Sequence, residues 1–307
     1  MRRRDFLAAA TVLAVGRHPA AAQNPKLSSG DENPQLTAPA GCTDCHHSIF
    51  DPRYRVVSDK VSHPDEATPD DYRQLMRRLG IARHVVIQPL AYGSDNSLLL
   101  EALQAFGPEA RGIAVVGTNI ADADLKRLDA AGVRGLRFNF APSGPIAPAM
   151  IEPLARRIAP LGWHVEVNAW ARDLAVMTPF LERLPTPVAL DHFGHIPEPE
   201  GASDTLFGRV MHLIDNGRTW VKLDAPYDAS KVGPPTYADS SALARAYVKA
   251  APERLVWGTN WPHPGENPKP DDAQIFDLWA DWAPDAAVRH RILVDNPQSL
   301  YGFPPSA

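Results

Sequence analysis

The sequence predicts an α/β fold, a single (β/α)8 TIM barrel, on three observations. Short apolar runs alternate with longer amphipathic ones about eight times along the chain, and such alternation with short connections produces a parallel sheet. Eight β/α units within roughly 260 residues favour closure into a barrel over an open doubly wound sheet. No Gly-x-Gly-x-x-Gly follows the first strand, which argues against a dinucleotide-binding sheet.

The chain opens Met1-Arg2-Arg3-Arg4-Asp5-Phe6-Leu7, continues with an apolar run from Ala8 to Val15, and reaches Ala20-Ala21-Ala22 before Gln23. A charged start, a short apolar core and a small-residue cleavage site make residues 1–22 a secretory signal. The Arg-Arg-x-Phe-Leu order points to the twin-arginine route and a periplasmic mature protein. The apolar run is shorter than the ~20 residues that span a bilayer, so no membrane association is expected of the mature form. Residues 23–39 read as a polar linker, and residues 40–307 as the barrel.

The strands are expected at Thr43–Ser48, His84–Gln88, Gly112–Gly117, Val133–Phe138, His164–Asn168, Val188–His192, Trp220–Asp224 and Leu255–Asn260. Most are rich in Val, Ile or Leu, as strands buried on both faces must be. Between them, Tyr72, Leu75, Met76 and Leu79 fall on one helical face behind Thr68-Pro69, an N-cap followed by proline at the first helical position. Leu243, Ala246, Tyr247 and Ala250 repeat that spacing. The 31 prolines cluster at element boundaries and suggest rigid loops.

A net charge of −5, with no basic stripe beyond the signal, argues against nucleic acid as a partner. The two cysteines, Cys42 and Cys45, sit three apart at a strand, where side chains point to opposite faces. That favours two ordinary thiols over a disulfide or redox pair.

Chemistry in a barrel of this kind sits at the carboxyl ends of the strands. Polar residues collect there: Asp44, His46 and Ser48, then Gln88, then Arg137 with Asn139. Asn168, Asp191-His192, Lys222 with Asp224, and Asn260 follow. On the fifth strand His164, Glu166 and Asn168 share one face, while Val165 and Val167 share the other. Glu166 is then either a buried acid or base, or the structural partner of Arg137 or Lys222. The structural pairing is the preferred reading.

Four motifs carry a family resemblance. They are Asp44-Cys45-His46-His47-Ser48-Ile49-Phe50-Asp51-Pro52, Val133-Arg134-Gly135-Leu136-Arg137-Phe138-Asn139-Phe140, Leu190-Asp191-His192-Phe193-Gly194 and Val256-Trp257-Gly258-Thr259-Asn260-Trp261-Pro262-His263. Together they resemble the amidohydrolase-2 family of the amidohydrolase superfamily, in order, from about Gly41 to Phe303. The nearest branches are the 2-pyrone-4,6-dicarboxylate lactonases and the D-galactarolactone isomerases. The resemblance implies an enzyme acting on a small carboxylated lactone.

Two positions depart from the metal-dependent pattern. The second histidine of the first strand is replaced by Ser48, a poor divalent-metal ligand beside imidazole. His47 faces the other way and cannot stand in for it. The aspartate that activates water on the eighth strand is matched by Asn260, whose amide does not take up a proton near neutral pH. No metal and no cofactor are therefore expected.

Within the resemblance, His46 or His192 would relay a proton, and Asn260 would orient the acyl group or the attacking hydroxyl. Arg137 would clamp a substrate carboxylate through paired donors, while Ser48, Gln88, Asn96 and Asn168 would take substrate oxygens. Each has a plainer alternative: His192 paired with Asp191, Arg137 in an internal salt bridge, Asn260 capping a turn. Lactone hydrolysis and lactone isomerisation both fit. A silent ligand-binding barrel and an ordinary metal-dependent amidohydrolase stay open beside them. Oligomeric state is not legible.

Overall fold

The computed structural model describes residues 25–57, 61–64, 66–140 and 148–305. The expected signal, residues 1–22, lies outside them. Eight parallel strands run in sequence order: β1 (Thr43–His47), β2 (Arg83–Ile87), β3 (Ala110–Ala114), β4 (Val133–Asn139), β5 (His164–Asn168), β6 (Val188–Leu190), β7 (Thr219–Leu223) and β8 (Leu255–Trp257). Backbone bonds from Asn260 N to His46 O (2.8 Å) and from Ser48 N to Trp261 O (2.9 Å) join the last strand to the first. The predicted barrel is the observed one.

Helices α1 (Pro69–Leu79), α2 (Ser97–Phe106), α3 (Asp122–Ala130), α4 (Ile151–Ile158), α5 (Ala171–Leu181), α6 (Thr205–Asp215) and α7 (Ala238–Ala250) follow the first seven strands. A run of short helices from Asp272 to Tyr301 follows the eighth. The start of α1 is set as the sequence expects. Thr68 accepts from Asp71 N, and Asp71 accepts in return from Thr68 N, a reciprocal capping box with Pro69 at the first helical position. Tyr72, Leu75 and Leu79 then face the barrel.

Two apolar regions hold the molecule. The larger fills the layer between barrel and helices. The smaller lies inside the barrel, where Cys45, Val85, Ile87, Ile113, Ala189 and Val256 meet Leu300, Tyr301 and Phe303 of the C-terminal segment. Cys42 belongs to the outer layer and Cys45 to the inner one; both are free thiols.

Strand ends differ from expectation where the backbone turns left-handed. β6 and β8 stop at Leu190 and Trp257 rather than at His192 and Asn260. His192 and Asn260 have φ of 49° and 59°, values that no strand residue adopts. β3 begins two residues earlier than expected and ends at Ala114.

The stretch read as a linker is docked where it is described. Ser29 N donates to Pro270 O, and Gln35 N and Leu36 N donate to the Asp277 carboxylate. Arg78 donates to the carbonyls of Ser29 and Glu32, and Trp261 Nε1 donates to Lys26 O at 3.0 Å. Backbone carbonyls with partners of this kind make the segment a strap rather than a spacer. Among the described residues no helix is long and apolar enough to cross a membrane.

Candidate active site

At the carboxyl ends of the strands lies a polar cavity of about 210 Å³, lined by His46, Ser48, Arg137, Asn139, Asn168, His192, Asp228 and Asn260 among others. Six of the eight residues singled out from the sequence therefore meet in one place. Barrel closure brings them there.

β8 lies tight against β1 at His46. A Cβ on Gly258 would fall 2.5 Å from His46 Cβ and 2.8 Å from its backbone nitrogen, so only glycine fits. Beside it, Asp44 clasps the two strands: its carboxylate accepts from His46 N, Thr259 N, Thr259 Oγ1 and Tyr72 OH, at 2.6–3.0 Å. Burial still pushes its carboxyl up to about 6 against those four donors. Asp44 is thus a structural clasp, and its neighbour His46 is the residue aimed inward. His47 points outward, stacked on the Tyr72 ring at 3.6 Å, with Nε2 2.8 Å from His84 Nδ1.

Beneath the cavity is a buried ionic cluster. Lys222 Nζ lies 2.6 Å from Glu166 Oε2, 3.4 Å from Asp191 Oδ1 and 3.4 Å from His46 Nδ1. Arg137 places Nε and Nη2 on Asp191 Oδ2 at 3.1 and 2.9 Å, with Glu166 Oε1 at 3.6 Å. Asp224 sits between the histidines: Oδ2 is 3.0 Å from His46 Nδ1, and Oδ1 is 3.3 Å from His192 Nδ1 and accepts from His192 N at 2.8 Å. The two imidazole rings are 5.1 Å apart, centre to centre.

Electrostatics divides the roles. Burial opposes charge on His192, but Asp224, with Asp228 and Asp191 behind it, lifts its pKa from 6.5 to about 9. His192 is therefore an imidazolium at neutral pH. Burial would raise the Asp224 carboxyl as well, yet His192 and His46 hold it well below its usual range. Burial and the charge of Asp191 push Glu166 up, while burial opposes the Lys222 charge less than Glu166 and Asp191 favour it. Three buried carboxylates, Glu166, Asp191 and Asp224, thus face two fixed cations, Lys222 and Arg137, and protonated His192 supplies the third positive charge.

Two triads have donor types suited to a cation: His46–Glu166–Asp191 and His46–His192–Asp224. The ammonium of Lys222 already stands among the first three. The second shares His46 Nδ1, and a dication there would press against that same ammonium. Ser48 donates its hydroxyl to Ile87 O and Asn260 its amide NH2 to Tyr227 OH, both at 3.0 Å, and neither residue offers the imidazole or carboxylate of a strong divalent-metal site. The residues present do not fit a divalent ion while Lys222 keeps its charge.

Three expectations change. Gln88 is buried, with Nε2 donating to Gly93 O and Asp95 O, so it closes its own loop rather than reaching substrate. Asn96 bonds Ser94 O and both backbone groups of Val115, and lines a separate surface groove with Asp124 and Arg127. Arg137 spends one donor edge, Nε and Nη2, on Asp191, the internal salt bridge that was its plainer alternative, while it still lines the cavity. Glu166 is in the structural pairing that was preferred, with both named partners. Asp224 and Lys222 were visible as polar strand ends, but nothing in the sequence showed that both would contact His46. Tyr227 and His263, unassigned from the sequence, continue from Asn260 into the interior.

The profile of the amidohydrolase family matches residues 43–303. A 2-pyrone-4,6-dicarboxylate hydrolase from Comamonas testosteroni is 36% identical over 281 residues, covering 87% of this chain and 92% of the relative. A D-galactarolactone isomerase from Agrobacterium fabrum is 32% identical over 285 residues, covering 91% and 97%. An apo crystal structure from Agrobacterium tumefaciens superposes with a TM-score of 0.83 at 32% identity, covering 91% of this chain and 99% of that one.

Proposed function

Since the chain belongs to the amidohydrolase family, we propose that it converts a small carboxylated lactone without a metal ion, as a lactone hydrolase. Relatives named for lactone hydrolysis and lactone isomerisation support the substrate class. The single observation that carries the chemistry is the histidine pair: His192 held protonated by Asp224, and His46 one ring away.

In this reading His46 Nδ1–H donates to Asp224 Oδ2 at 3.0 Å, leaving Nε2 to take a proton from the attacking O–H. The oxygen adds to the lactone carbonyl, the ring C–O bond breaks, and the departing ring oxygen takes its proton from His192. Protons balance, and the pair ends with the proton on His46 instead of His192. Lys222 and the free edge of Arg137 supply positive potential for the substrate carboxylate and the developing oxyanion. A panel of carboxylated lactones followed by NMR tests this. Ring opening supports it, ring exchange would favour isomerisation instead, and no turnover of any lactone by folded protein would sink both.

Asn260 favours a second reading, lactone isomerisation. Its amide is not a base for water, and a hydroxyl on the substrate itself attacks with high effective concentration. Replacing Asn260 with Asp is expected to raise the fraction of ring-opened acid among the products. An unchanged product ratio would remove Asn260 from that role.

Export is part of the proposal. The Arg3-Arg4-Asp5-Phe6-Leu7 start supports it, and an Arg3→Lys, Arg4→Lys double variant is expected to leave the protein in the cytoplasmic fraction. Unaltered release by osmotic shock would refute the twin-arginine route.

A further inference from the structure

A chain of polar contacts leaves the cavity at Asn260 and ends inside the protein. Asn260 Nδ2 meets Tyr227 OH at 3.0 Å, Tyr227 OH meets His263 Nδ1 at 2.8 Å, and His263 Nε2 meets Asp272 Oδ2 at 3.0 Å. His263 and Asp272 are fully buried. Such a chain has a direction, because each member must accept what its neighbour donates.

The direction is fixed from the inner end. A carboxylate only accepts, so His263 donates from Nε2 to Asp272, and in the single-proton tautomer its other nitrogen accepts. Tyr227 then donates to Nδ1, and burial, which holds the phenol well above its usual pKa of 10, keeps that proton in place. With its hydrogen committed, the Tyr227 oxygen can only accept from Asn260. The amide must therefore point its NH2 group at Tyr227 and its carbonyl oxygen away.

We infer that Asp272, His263 and Tyr227 are positioning residues that hold Asn260 with Oδ1 turned to the cavity, so that this subsite takes a hydroxyl of the substrate and not its acyl oxygen. The identity of the ligand rests on the lactone reading above; the direction of the chain does not. An acyl oxygen at that point would meet another acceptor. A hydroxyl would be oriented by it, as the attacking group of a ring exchange needs to be.

Two measurements decide it. The first uses the folded protein without substrate: nitrogen NMR of ring-labelled histidine, with His263 assigned by its loss in His263→Gln. The inference expects a single ring proton on Nε2. A proton on Nδ1, alone or with Nε2, would let Tyr227 donate to the amide and overturns the assignment.

The second compares a hydroxylated lactone with its deoxy analogue. Wild type is expected to prefer the former in kcat/KM by roughly ten- to a hundredfold, with most of the effect in kcat. Tyr227→Phe should lose most of that preference while remaining folded by circular dichroism at the assay temperature. Asn260→Asp should keep it, since a carboxylate presents an acceptor in either orientation. A preference that survives Tyr227→Phe contradicts the inference. If no lactone is turned over the functional reading fails, and the tautomer still decides the direction of the chain.

Discussion

His192 illustrates how a single charge is arranged. Buried imidazole resists protonation, yet one carboxylate oxygen of Asp224 stands 3.3 Å away and the pKa rises from 6.5 to about 9. Because the folded value lies above the unfolded one, the stabilisation from this proton is complete below about pH 6.5 and disappears as pH rises through about 9. Activity should follow the same proton. The kcat/KM profile is expected to fall above about pH 9, and His192→Gln should remove that limb while lowering kcat by about a hundredfold or more. An alkaline limb unchanged in the variant would assign the proton elsewhere. At this scale the sequence was readable where a residue's type limited its chemistry, as with Ser48 and Asn260. It misled where an amide could serve its own loop: Gln88 and Asn96 carry the right groups, but local backbone carbonyls claim them first.

The decisive elements are β1 and β8. Their contact brings His46 and Asn260 into one cavity, and it depends on Gly258 having no side chain and on Asp44 bridging the strands. A methyl at position 258 would meet backbone and Cβ atoms of His46, which cannot swing aside as a flexible side-chain tip can. Gly258→Ala is expected to cost roughly 1–3 kcal/mol of stability and to lower kcat through displacement of His46. Thermal unfolding and steady-state kinetics would show both, and wild-type values in the variant would contradict the tight approach. Apolar runs located most of the strands, because a strand buried on both faces is apolar whatever its neighbours are; β1, with Thr43, Asp44, His46 and His47, is not among them. The ends of β6 and β8 were not legible, since the left-handed residues that stop them, His192 and Asn260, are types that also occur within strands. Nor could the pattern reveal the strap. Residues 25–38 are polar and carry no period, and their order comes from partners such as Arg78 and Asp277, which are distant in sequence.

At the scale of the whole molecule, seven of the eight strands end in polar residues towards one rim, and the C-terminal segment plugs the other end with Leu300, Tyr301 and Phe303. The rim gathers Glu166, Asp191 and Asp224 against Lys222, Arg137 and a proton on His192. The family's fold is retained while the positions around His46 are given to an ammonium, a hydroxyl and an amide. The claim that the reaction needs no metal is tested most directly by elemental analysis of active protein, paired with turnover before and after chelation. The account predicts full activity with far less than one equivalent of any transition metal. Activity lost on chelation and restored by zinc or manganese would contradict it.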